Sequence, residues 1–393
     1  MSQQQALQVV LVAGEESGDR LGAALMRALK AETGGRVHFS GVGGDHMRAE
    51  GLESYFPIGS TAIIGFADIP ARFITYWRLI RDTAARAIAA RPNVLVIIDS
   101  PEFTHRVAKI VRRHAPDIPI VDYVSPSVWA WRPWRARAMR RYIDHVMALL
   151  PFEPAAMARL GGPPCTYVGH PLSERIGALR PNAEEAERRG LPPEIVLLMP
   201  GSRSGELKRM LPIFEQTAAL IAQSAPSVQF VLLAVPAHAG RIAQAVATWR
   251  VPVRVVSEPA EKDEAFRIAR LAVVKSGTST LELALAGVPM VAAYRIGHFE
   301  GLVALAAIDL SSVILANLVL GENIVPTFLQ YNATPAKLAK AALDLLKDSP
   351  SRRHQIDAFR RLDQIMEIGS ANPSERAANI VMAQAMQTPP VAG

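Results

Sequence analysis

Short apolar runs alternate with helical patterns from one end of this 393-residue chain to the other. That is the pattern of parallel α/β domains, whose strands are buried on both faces and joined by helical crossovers. In the first half, strands are expected at 8–13, 37–41, 94–98, 118–124, 145–150 and 166–168, with helices over 19–30, 69–90 and 104–114. The series restarts at 195–199 and runs through 228–235, 253–256, 271–274 and 288–293. Residues 177–193 are polar, charged and proline-bearing and read as a linker. We therefore expect two doubly wound, Rossmann-like units facing across a cleft, 1–176 and 194–345, with helices over 346–393 packing back on the first. Ligands in such sheets bind beyond the carboxyl ends of the strands, so the loops after strands carry the chemistry.

Half of the residues are hydrophobic and 20% are charged, the balance of a folded chain. The net charge of +7 favours anionic partners: nucleic acid, phosphorylated small molecules or an acidic membrane surface. The single cysteine, Cys165, excludes an intrachain disulfide and a thiolate metal cluster, and reads as a small buried residue opening a strand. The nine histidines show no ligand spacing, so no metal is expected. Neither a signal peptide nor an apolar run of about 18 residues is present, so a cytoplasmic protein is expected.

Four loops stand out. Residues 276–282, Ser-Gly-Thr-Ser-Thr-Leu-Glu, follow an apolar strand and open a helix. Small residues there let a phosphate approach backbone N–H groups at a helix N-terminus, and Glu282 can reach a sugar hydroxyl of the same ligand. The same residues also fit an ordinary capped helix with Glu282 complementing the dipole. Pro200-Gly201-Ser202-Arg203 follows the first strand of the second half, and Arg203 offers a fork matched to a diphosphate, although the spacing is not that of a Walker loop. Asp99 ends the strand 94–98, where partial desolvation makes a carboxylate a stronger base, although Asp-Ser-Pro-Glu also fits a helix cap. The loop 13–19 carries Glu15, Glu16, Ser17 and Asp19, suited either to binding sugar hydroxyls or to capping its own helix. It lacks the glycine spacing of a dinucleotide-binding turn.

Residues 125–141 hold Trp129, Trp131 and Trp134 with Arg132 and Arg135 among five arginines, and 66–81 bring Phe66, Phe73 and Trp77 beside further arginines. Tryptophan next to arginine suits a lipid headgroup boundary or single-stranded nucleic acid. The structural alternative is buried rings beneath a solvated basic helix face.

These loops together resemble the lipid-A-disaccharide synthase family over nearly the whole chain. The segments carrying the resemblance are AGEESGDRLGA (13–23), GVGGDHM (41–47), IIDSPEF (97–103), SPSVWAWR (125–132), LPFEP (150–154), VGHPL (168–172), PGSRSGEL (200–207), SGTSTLELALAGVPMVAAYR (276–295) and LANLVLGENIVP (315–326). One departure is Thr327, where the family usually has an acid after Val-Pro. The resemblance implies a GT-B inverting glycosyltransferase that joins UDP-2,3-diacylglucosamine to the 6-hydroxyl of 2,3-diacylglucosamine 1-phosphate (lipid X), giving a β-1,6 disaccharide and UDP. It implies Asp99 as base; Glu15, Glu16, Ser17 and Asp19 on the acceptor side; and Arg203, Ser276, Gly277, Thr278, Thr280, Glu282, Asn317 and Gln330 on the UDP donor. It also implies an anionic inner-membrane surface as partner, contacted by the aromatic and basic stretches, with no nucleic acid and no cofactor, and it allows a homodimer. Two alternatives are a UDP-N-acetylglucosamine 2-epimerase of the same fold and a non-enzymatic anionic-lipid-binding protein.

Overall fold

The computed structural model describes residues 6–60, 69–295, 314–369 and 372–386, side chains of 60 and 69–73 excepted. Two compact units result, Met1–Pro171 with Gly369–Gly393, and Leu172–Ile368. The first carries a sheet of β1 (Leu7–Ala13), β2 (Val37–Val42), β3 (Glu53–Ser54), β4 (Val94–Ile98), β5 (Ile120–Tyr123), β6 (His145–Ala148) and β7 (Cys165–Tyr167), in the order β3-β2-β1-β4-β5-β6-β7. The second carries β8 (Ile195–Met199), β9 (Gln229–Leu233), β10 (Val253–Val256), β11 (Ala269–Lys275), β12 (Met290–Tyr294) and β13 (Thr327–Leu329), in the order β10-β9-β8-β11-β12-β13. Every strand pair is parallel. The edge strands β3 and β13 lie outside the sequence expectation, because two or three partly exposed residues leave no apolar run to read.

The continuous apolar runs follow from burial on both faces. In β4, Leu95 and Ile97 pack with Val10, Val12, Phe103 and Val107, while Val94, Val96 and Ile98 pack with Val9, Leu11, Leu25 and Met26. The second of these faces is completed by Ala377, Ala378, Val381 and Ala385 of the helix Pro373–Met386, which lies against the helix Glu16–Thr33.

Two boundaries differ from expectation. The helix Pro350–Ile365 belongs to the second unit. Its buried Gln355 accepts from the N–H of Met290 (2.9 Å) and donates to the carbonyl of Met290 (3.2 Å), and Arg352 donates to the carbonyls of Arg270 and Leu345. Polar residues are buried here because they satisfy strand-end backbone groups, a use that hydropathy does not reveal. Nor is 177–193 a free linker. Arg189 donates to the carbonyls of Phe266, Arg267, Ala286 and Gly287, capping the helices Pro259–Ile268 and Ser279–Leu285, while Arg180 holds Asp363 and the carbonyl of Leu285. Arginine at helix C-termini complements both orphan carbonyls and dipole. Burial lowers the Arg189 guanidinium to about 10. Among the described residues, no helix is long and apolar enough to cross a membrane.

Candidate active site

In each sheet the strand order reverses at one place, between β1 and β4 and between β8 and β11. Loops leaving two such neighbours diverge and open a crevice at their carboxyl ends. The loops singled out in the sequence are the ones that follow these four strands.

In the first unit, the loop after β1 and the loop after β4 touch. A Cβ on Gly14 would lie 2.4 Å from the Cβ of Ser100, so only glycine permits the approach. Asp99 and Ser100 are consecutive non-glycine residues in the left-handed region, with φ of 53° and 45°. That backbone is strained, and such strain collects at functional sites. The Asp99 carboxylate accepts from the Ser17 hydroxyl (2.9 Å) and the Ser100 N–H (2.7 Å), while Thr104 donates to the Asp99 carbonyl (2.7 Å). The cap position of the helix Pro101–His114 is taken by Ser100, without a side-chain bond, so Asp99 is not spent on capping it. The Ser100 hydroxyl is buried with no hydrogen-bond partner.

The acidic loop divides into two kinds of residue. Glu15 stands at the N-cap without a side-chain bond, Glu16 pairs with Arg20 (2.6 Å), Ser17 meets Asp99, and all three are exposed. Asp19, expected on the acceptor side, is instead buried, 2% exposed, and accepts from the N–H groups of Gly44 (2.7 Å), His46 (3.0 Å) and Met47 (3.0 Å). Its carboxylate caps the helix Asp45–Ala49 instead of its own helix.

In the second unit, Arg203 is exposed at the N-cap of the helix Ser204–Ser224. Beneath it, Glu206 accepts from the N–H groups of Ser202 (3.2 Å) and Arg203 (3.4 Å) and from the Lys275 ammonium (2.9 Å). Ser276, Gly277 and Thr278 form the loop between β11 and the helix Ser279–Leu285. Thr280 turns its hydroxyl back to the carbonyl of Gly277 (2.8 Å), so it shapes the loop. Glu282 sits in the first helical turn, where burial raises its carboxyl above the ordinary range while Arg175 opposes the shift. A partly dehydrated carboxylate there is a strong acceptor for a hydroxyl.

Asn317, expected to contact the donor, is spent within the protein. Its amide oxygen accepts from the N–H groups of Ile324 (3.1 Å) and Val325 (2.9 Å), and it is 6% exposed. It shapes the entry to β13. There Thr327 donates to the carbonyl of Val325 (2.9 Å), and Gln330 adopts a left-handed φ of 52°.

The aromatic stretch also divides. Trp129 is partly buried, donates to Glu153 (3.3 Å) and meets Phe152 edge to face. Burial pushes the Glu153 carboxyl up to about 7, although it also accepts from the N–H groups of Leu149 and Leu150. Arg132 stacks over Trp131, Arg106 over Trp77, and Arg135 pairs with Glu102 (3.2 Å). Trp134 alone of these rings is widely exposed, at 67%. Phe66 lies outside the described residues and the Phe73 side chain outside the described side chains.

Sequence reasoning missed Glu206, Lys275 and Glu153. An acid three residues into the helix, as Glu206 is, suits accepting the N–H of the N-cap residue and could have drawn attention to it. Nothing in the composition or spacing around Lys275 or Glu153 sets either apart as a site residue.

Two Rossmann-like parallel-sheet units, each with one reversal of strand order, are those of the GT-B fold. The fold is similar to the UDP-GlcNAc 2-epimerase of Methanocaldococcus jannaschii (TM-score 0.60, 11% identity, 96% of this chain and 100% of that one). It is also similar to MurG of Acinetobacter baumannii (TM-score 0.56, 13% identity, 96% and 99%). The family model described as lipid-A-disaccharide synthetase matches residues 9–381. A lipid-A-disaccharide synthase of Nitrobacter hamburgensis is 55% identical over 95% of this chain and 94% of its own. One of Bradyrhizobium diazoefficiens is 52% identical over 95% and 96%. The chain belongs to the lipid-A-disaccharide synthetase family and is a glycosyltransferase of lipid A biosynthesis. The epimerase alternative shares the fold without the family.

Proposed function

We propose that this chain transfers 2,3-diacylglucosamine from its UDP conjugate to the 6-hydroxyl of 2,3-diacylglucosamine 1-phosphate in one inverting displacement. Asp99 takes the proton of the 6-hydroxyl as that oxygen bonds to the donor C1. The bond from C1 to the diphosphate oxygen breaks with its electron pair, UDP leaves, and Asp99 returns the proton to solvent. The Ser17 hydroxyl and the Ser100 N–H hold the carboxylate in place. Arg203 and the loop 276–278 meet the charge developing on the diphosphate without a metal, and Glu282 accepts from the ribose. The observation carrying this reading is the strained Asp99, whose carboxylate is held at the reversal point of its sheet and left free of the cap it adjoins. Trp134 and its neighbouring arginines suit docking on an anionic inner-membrane surface from the cytoplasmic side.

The test is UDP release by the purified protein in detergent and EDTA, with the diacylated donor and with lipid X present or absent. Release that requires lipid X, yields the disaccharide and falls about 10²–10⁴-fold in Asp99→Asn supports the reading. Full turnover in Asp99→Asn, with loss in a Glu15 or Glu16 variant, would move the base to the loop after β1.

A further inference from the structure

The two phosphate-type loops of the second unit are joined by a buried ion pair. The ladder between β8 and β11 ends at the pair Met199–Val274, beyond which the loops diverge. Glu206 bridges that gap, one carboxylate oxygen holding the N–H groups of Ser202 and Arg203 and the other meeting the Lys275 ammonium at 2.9 Å. The same ammonium lies 4.9 Å from the centre of the Tyr294 ring at the end of β12, and a Cβ on Gly277 would be 3.6 Å from it. The side chains of Lys275 and Glu206 are only 16% and 8% exposed. Burial pushes the Glu206 carboxyl up, but the Lys275 contact and the two N–H bonds outweigh it and hold the group below its ordinary range.

We propose that Lys275 and Glu206 are positioning residues, a brace that fixes the Arg203 loop against the loop 276–278 and thereby sets affinity for the nucleoside diphosphate. This rests on the donor site proposed above. The charge of Lys275 is matched internally, so its contribution is to spacing, while Arg203 supplies the positive charge that reaches the ligand. A brace and a direct phosphate ligand respond differently to a second substitution. Removing either end breaks the same bridge, so a brace loses the same affinity whether Lys275, Glu206 or both are changed; a direct ligand is lost with Lys275 alone, and neutralising Glu206 leaves it in place.

The experiment measures UDP binding by calorimetry, and KM for donor and acceptor, in Lys275→Met, Lys275→Arg, Glu206→Gln and the double variant Lys275→Met/Glu206→Gln, with thermal unfolding alongside. Lys275→Met should weaken UDP about 10- to 100-fold, the range typical of supporting partners, raising donor KM while acceptor KM stays unchanged. Lys275→Arg should rescue it, Glu206→Gln should weaken UDP about as much as Lys275→Met, and the double variant should lose no more than either single one. Unchanged UDP affinity in a folded Lys275→Met protein overturns the brace alone. Wild-type affinity in Glu206→Gln alongside a loss in Lys275→Met also overturns it and makes Lys275 a direct ligand. If Lys275→Met does not fold, Glu206→Gln and Lys275→Arg decide by the same criteria. A wild-type protein that does not bind UDP overturns the donor-site reading and the brace with it.

Discussion

Asp19 provides the sharpest separation of a structural from a ligand-binding acid. Its carboxylate accepts three backbone N–H bonds, at 2.7, 3.0 and 3.0 Å, from one tight turn of the loop 43–47. Asp19→Ala removes both acceptor oxygens, and with them all three bonds, at a site that is 2% exposed, where water does not replace them freely. Each buried donor left unpaired costs about 1–3 kcal/mol, and relaxation of the short helix recovers part, so a net loss of about 3 kcal/mol is expected. In a unit of roughly 200 residues that loss lowers the melting temperature by about 6–12 °C. Asp19→Asn keeps one acceptor oxygen, which in the wild type serves both Gly44 and Met47, and should lose about half as much. Differential scanning calorimetry resolves the two units, and only the transition of the first should move. A melting temperature within 1–2 °C of wild type, combined with loss of turnover, would refute the reasoning and return Asp19 to the acceptor side.

Glu153 fixes a pH dependence. Its carboxyl holds its proton up to about 7 when folded against an ordinary value of 4.5, so the folded state binds the extra proton and stability falls as pH rises between those values. The fall is about 3 kcal/mol, and Glu153→Gln should lose that slope in denaturation measured from pH 4 to 8. Gly201 has a φ of 111°, and a Cβ there would lie 2.5 Å from the Glu206 carboxylate. Gly201→Ala should therefore cost about 2–3 kcal/mol in the second unit, read from its calorimetric transition. Arg132→Gln should weaken binding to anionic vesicles about fivefold at low salt, and Trp134→Ser should weaken the binding that survives high salt, both measured by co-sedimentation.

The parallel sheets were legible because β1, β4, β8 and β11 are buried on both faces and so appear as unbroken apolar runs. Asp99 and Arg203 were legible because a polar residue directly after such a run must stand at a carboxyl end. Illegible were the residues whose polar atoms serve distant backbone: Asp19 reaching Gly44, His46 and Met47, Asn317 reaching 324–325, Gln355 reaching Met290, and Arg189 capping two helices. Each looks like surface or site in one dimension, because its partner is fixed by folding and not by spacing. The helix Pro350–Ile365 was illegible for the same reason, since its anchors Arg352 and Gln355 are polar.

The helix Pro373–Met386 has a temporal consequence. It completes a core begun by Val9 and Leu11, yet all of residues 172–368 must leave the ribosome before it exists. The first unit is therefore translated early and closed late, with the apolar surface around Ala23 and Met26 uncovered while the second unit can already fold by itself. Contacts more than 340 positions apart make closure slow and leave a long interval in which that surface is open to aggregation or to a holding chaperone. Moving the helix ahead of β1 by circular permutation would shorten that interval without altering either sheet.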